Sequence, residues 1–94
     1  MARAVFNGAV IAESDDVEIV EGNVYFPPDA LDWRYFRPTD HATVCGWKGT
    51  ASYYTVEADG QAAENAAWTY RTPKPEASNI KDFVAFYPIV RVER

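Results

Sequence analysis

Turn signals built on glycine recur along this chain and divide it into short strand-like runs. Asn7-Gly8 separates "RAVF" from "AVIA", Glu21-Gly22-Asn23 separates "VEIV" from "VYF", and Asp59-Gly60 closes the run from Lys48 to Glu57. Asn-Gly tolerates positive φ at both central positions of a type I′ turn, so residues 3–12 are predicted to form a β-hairpin. The Glu21-Gly22-Asn23 turn predicts a second one, ended by Pro27 and Pro28. Asp29–Leu31 suits a single helical turn, and Pro38, Thr39 and Asp40 mark a loop after "WRYF". In the run from Lys48 to Glu57, Lys48, Thr50, Ser52 and Tyr54 fall on one face and Gly49, Ala51, Tyr53 and Thr55 on the other. "QAAENAAW" is ambiguous, because alanine favours helix while "WTY" favours sheet; a strand is placed from about Ala66 to Arg71. "TPKPEASN" reads as a loop with a helical turn after Pro75, and "FVAFYPIVRV" as β structure interrupted at Pro88. The expected fold class is all-β with short connections.

The 94 residues make one domain, 1–94, since a core of this size cannot be subdivided. The single Cys45 leaves neither an intrachain disulfide nor a paired-cysteine zinc site to hold it together. Packing must supply the stability, and six Tyr, five Phe and three Trp provide large side chains for it. A balance of 9 basic to 14 acidic residues, without a basic cluster, argues against a nucleic-acid surface. No apolar stretch approaches the roughly 20 residues that span a bilayer, and no signal-peptide pattern is present. A cytoplasmic domain with no membrane partner is expected, and nothing in the sequence calls for a cofactor or metal.

"TVCGWKGTASYY", residues 43–54, gathers the chemistry. Cys45 as a nucleophile needs a base, and His41 is the only histidine; on an extended strand their Cα atoms lie about 13 Å apart. The alternative is a small buried hydrophobe. Lys48, between Gly46 and Gly49, is either an anion contact or an exposed strand lysine that protects an edge. The P-loop glycine spacing is absent. Tyr25, Trp47, Tyr53, Trp68 and Tyr70 are core by default, yet with Lys48 and Glu21 they have the composition of a small-molecule site. Glu13 and Glu21 are a candidate carboxylate pair.

The blocks "NGAVIAES", "EGNVYFPPDAL", "TVCGWKGTASYY" and "AAWTYRTPKPEASNIKDFVAFY" resemble, in order and over nearly the whole chain, the bacterial domain-of-unknown-function family 427. The resemblance implies a β-tent: two antiparallel sheets packed at a steep angle, open at one side with a cleft between them. Similar folds carry a zinc held by two cysteine pairs, which this chain lacks, or a cysteine-based sulfoxide reductase activity. The family is also labelled nucleotidyltransferase-like, but no paired aspartates follow a Gly-Ser motif here. The family blocks mark Glu21, Tyr25, Cys45, Trp47, Lys48, Gly49, Tyr53, Trp68 and Tyr70. Gly46 stands where the family commonly has proline, which implies a looser turn. A required lysine implies a ligand contact or a buried ion pair. Three functions are consistent with this. The first is a small-molecule binding module with Lys48 on an anionic or carbonyl group, Trp47, Tyr53 and Trp68 as walls, and Glu21 and Tyr25 at the rim. The second is an enzyme using Cys45 or Lys48, and the third an interaction domain using a sheet edge or aromatic patch.

Overall fold

The computed structural model covers Met1–Arg94 and contains nine strands, with helical geometry confined to three 3-10 turns. Strands β1 (Ala2–Phe6), β2 (Ala9–Ser14) and β9 (Arg91–Glu93) form one antiparallel sheet in the order β2-β1-β9. Strands β3 (Glu18–Val20) and β4 (Asn23–Tyr25) form a hairpin. Strands β5 (Phe36–Cys45), β6 (Gly49–Ala58), β7 (Gln61–Thr69) and β8 (Val84–Phe86) form a sequential antiparallel sheet. The all-β expectation holds, and no helix is long and apolar enough to cross a membrane.

The hairpins turn where the glycine pairs stand. Asn7-Gly8, Glu21-Gly22 and Asp59-Gly60 all adopt paired positive φ, with values of 49° and 81°, 53° and 81°, and 51° and 80°. Asn and Asp tolerate the left-handed conformation. Glutamate is the unusual occupant, and its side chain explains its presence below.

Two expectations change. Residues 38–40 lie inside β5 instead of forming a loop: the register shifts between Pro38 and Ala42, and β5 is an edge strand, where a missing N–H breaks no inner ladder. Thr39 Oγ1 bonds Asn65 Oδ1 across the sheet at 2.6 Å, tying this irregularity to the positive-φ bulge residue of β7. Strand β7 also starts at Gln61, five positions before Ala66, because pairing of Ala62 and Ala63 with Glu57 and Val56 overrides alanine's helical preference. The alanines are useful in a strand covered on both sides, since Ala63, Ala66 and Ala67 are all buried.

The four-stranded sheet is packed on both faces. Pairing sets Tyr54, Ala67 and Phe86 on one face and Tyr53, Trp68 and Ala85 on the other. The first faces a core of 17 buried residues including Phe6, Ile11, Phe26, Phe36 and Val56. The second faces a smaller one of Tyr25, Ala51, Tyr53, Tyr70, Ala77, Ile80 and Ala85, covered by the 3-10 turn at Pro75–Ile80. Phe26 bridges β8 through reciprocal 2.8 Å hydrogen bonds with Val84 and meets Phe86 edge-on at 5.8 Å. Phe26→Ala is expected to cost about 3–5 kcal/mol in urea unfolding, as a fully buried aromatic. Ile19→Ala, at a residue 45% exposed, should cost well under about 1 kcal/mol.

Candidate functional site

Gly46-Trp47-Lys48 connects β5 to β6, closed by the pairing of Cys45 with Gly49. The segment after β7 clasps this connection: Lys74 N–H donates to Lys48 O at 2.9 Å and Lys74 Nζ to Gly46 O at 2.6 Å. Gly49 has φ +112°, a conformation side chains rarely adopt, and a Cβ there would meet Thr72 O at an ordinary 3.4 Å, so the glycine is needed for its conformation. A side chain at Gly46 would meet nothing within 4 Å, so the clasp, and not that residue, holds the turn.

The clasp turns Lys48 inward. Its side chain is 7% exposed, and its Nζ lies 2.5 Å from Glu21 Oε1. Trp47 Nε1 reaches the other Glu21 oxygen at 3.4 Å. The ammonium sits 5.4 Å and 5.5 Å from the ring centroids of Trp47 and Tyr70, within cation–π range. This burial excludes the reading of Lys48 as an exposed edge lysine, and the contact it makes within the protein is the ion pair with Glu21. Glu21 occupies a position where Asn7 and Asp59 stand in the other turns, and only glutamate's longer stem makes the contact seen with Lys48.

Electrostatics couple the pair. Burial opposes the Lys48 charge, but the Glu21 hydrogen bond and the ionised forms of Tyr25, Tyr70 and Glu21 outweigh it and leave its pKa pushed up to about 12. Hydrogen bonding to Lys48, then its charge, then the Trp47 N–H hold the Glu21 carboxyl below its ordinary 4.5. Glu21 remains half exposed, so the carboxylate side of the pair is open to solvent while the ammonium side is closed.

Next to this pair, the second face of the large sheet carries polar-tipped aromatics. Trp68 Nε1 donates to Tyr25 OH at 3.2 Å, and Trp68 packs against Tyr87 with centroids 4.9 Å apart. The Tyr53 hydroxyl lies 2.9 Å from Thr43 Oγ1 and 3.5 Å from Tyr87 OH. Glu21, Trp47 and Lys48 are thus in direct contact, Tyr25 and Trp68 in a second contact, and Tyr53 pairs with Trp68 across the strands. Tyr25 is wholly buried and stands behind Trp68 instead of at a rim. Glu13 pairs with Arg3 at 2.6 Å and Glu21 with Lys48, so the two carboxylates serve separate partners. Hollows on the surface are lined by other residues.

Cys45 is half-buried at the end of β5, and backbone N–H groups of Lys48 and then Trp47 hold its thiol below the ordinary 9.0. His41 rests on Tyr53, centroids 4.5 Å apart, on the same strand as Cys45. No three His, Cys, Asp or Glu side chains converge in metal-binding geometry. Sequence reasoning missed the His41–Tyr53–Tyr87 contacts, since 34 residues separate the two tyrosines and no spacing rule joins them.

The coupled pair defines a pH dependence. Glu21, with a lowered folded pKa, contributes stability above the ordinary carboxyl range that is lost as pH falls through its depressed value. Lys48, with a raised one, contributes below 10.5 and loses that contribution as pH rises through about 12. Thermal unfolding across the acid-to-neutral range should show Glu21→Gln less stable than wild type at neutral pH, the gap closing on acidification. Lys48→Met should lose less, because its abandoned partner can hydrate whereas the partner abandoned by Glu21→Gln is a buried ammonium.

Comparison with known proteins adds identity. Among curated proteins, none matches this chain. The profile of one family, described as domain of unknown function (DUF427), matches residues 1–94. With every residue from first to last inside that match, the chain belongs to the DUF427 family.

Proposed function

We propose that the protein is a small-molecule binding module in which the Lys48 ammonium receives an anionic or carbonyl oxygen of the ligand. One observation carries the reading: a lysine buried to 7% side-chain exposure hydrogen-bonds one protein acceptor, and that acceptor is half exposed. An ammonium has three donors, so two have no hydrogen-bonding partner within the protein. A purely structural ion pair would be served as well by apolar residues of similar volume. Glu21 instead behaves as an internal stand-in for a ligand oxygen, held on a hairpin tip in a left-handed conformation that glutamate does not favour. Displacing it releases that tip and opens the ammonium between Trp47 and Tyr70. Trp47, 41% exposed, and the half-buried Trp68 supply apolar surface alongside, and Tyr53 and Tyr25 hold Trp68 in place.

A thermal-shift series with small carboxylates and carbonyl compounds, on wild type and Lys48→Met, tests this. A ligand at a hundredfold excess over its Kd adds about 2.7 kcal/mol to a protein it binds only when folded. At least one compound should raise the wild-type midpoint and leave Lys48→Met unmoved. Equal shifts in both proteins, or none in either, would remove Lys48 from ligand binding.

The depressed Cys45 thiol supports a second reading, an enzyme with Cys45 as nucleophile. Its rate of alkylation by iodoacetamide against pH should show a midpoint below 9.0 in the folded protein, and one at or above that value would exclude an activated thiol.

A further inference from the structure

Thr69, on the inner strand β7 between Ser52 and Val84, is 2% exposed. Its Oγ1 is the one buried side-chain polar atom without a hydrogen-bond partner in this protein. Every other buried side-chain polar atom has at least one partner, and an unpaired buried hydroxyl destabilises the fold that holds it. Valine would fill the same volume without that cost. Thr69 therefore calls for an explanation that packing does not supply.

Thr69 lines a hollow of about 320 Å³, with Pro28, Trp33, Tyr54, Arg71 and Asp82 as its other walls. It lies on the sheet face opposite Trp68 and so away from the Lys48 pair. The rings are fixed: Trp33 Nε1 donates to Pro28 O at 2.9 Å, and Trp33 meets Tyr54 edge-on with centroids 5.4 Å apart. Arg71 is oriented by its Nη2–H on Tyr54 OH at 3.1 Å, with its guanidinium 5.7 Å from the Tyr54 ring. It forms no ion pair with any carboxylate of the chain. Asp82, held at φ +65° with its N–H on Tyr70 O, has as its only cation Lys81 at 3.8 Å.

We propose that this hollow binds a small zwitterion of the α-amino acid type, with its carboxylate on Arg71 and Thr69 and its ammonium on Asp82. The charge pattern selects this class. A simple anion drawn to Arg71 would meet Asp82, and a simple cation drawn to Asp82 would meet Arg71; a molecule with both charges satisfies both. The planar fork of arginine suits a carboxylate, and the Thr69 hydroxyl donates the hydrogen bond it does not make within the protein. Trp33 and Tyr54 receive an apolar side chain, in a space at the lower end of small-molecule pockets.

The test is a thermal-shift panel of the proteinogenic α-amino acids on the wild-type protein, with NMR of the tryptophan indole N–H signals to locate binding. At least one should raise the midpoint and shift Trp33 while leaving Trp47 and Trp68 in place. Analogues of that amino acid lacking either the ammonium or the carboxylate should bind at least about tenfold more weakly. Thr69→Val should raise the midpoint of the unliganded protein yet weaken binding by about tenfold or more, and Arg71→Gln should do the latter alone. The proposal is overturned if no amino acid binds, if shifts fall on Trp47 and Trp68 instead, or if Thr69→Val or single-charge analogues bind as well as the parent pair.

Discussion

Two backbone hydrogen bonds of 2.8 Å, exchanged between Phe26 and Val84, join the β3–β4 hairpin to the four-stranded sheet. Because side chains alternate along a strand, this one docking sends Tyr25 into the small core and Phe26 into the large one. The same short hairpin thereby contributes to the packing on both faces of the sheet. The turn at its other end carries Glu21, so the placement of the Lys48 partner follows from a contact made in a different part of the domain. A fault at Phe26 would loosen the cores and displace the ion pair together.

The ion pair shows how a small β domain can hold a buried charge. The backbone N–H and the side-chain ammonium of Lys74 fix the loop, Gly49 supplies the positive-φ backbone it needs, and two aromatic rings line the buried ammonium. The arrangement is asymmetric: Lys48 cannot hydrate if its partner leaves, whereas Glu21 can. Under the proposed function Glu21 is the exchangeable member, and a ligand oxygen competing for its place would gain a preorganised cation without having to order it.

The two faces of the large sheet differ in chemistry as well as packing. One carries the Lys48 pair and a run of tyrosine and tryptophan tips bonded to one another. The other ends in a hollow where an unpaired hydroxyl, a guanidinium and a carboxylate stand beside two fixed rings. In both places the protein keeps polar groups that an optimally packed domain would satisfy internally or omit, and departures of that kind gather at functional positions.

Much of the fold was legible locally. The Asn-Gly, Glu-Gly and Asp-Gly pairs act within a few residues, because left-handed backbone is a property of those residues and not of their surroundings. The length of β7 was not, since alanine's helical preference is overruled by a ladder to β6, nor was the strand position of Pro38, because only the sheet order reveals that β5 is an edge. For the site, the sequence by itself determined the ingredients: Lys48 between glycines, Glu21 in a turn, aromatics on alternating positions. Only the tertiary structure decided that Lys48 is buried against Glu21, that Tyr25 lies behind Trp68, and that Thr69 is left unpaired beside Arg71. Burial and partnership are set by contacts across 27 or more residues of chain in the first two cases and by strands on both sides in the third. No local spacing encodes such contacts.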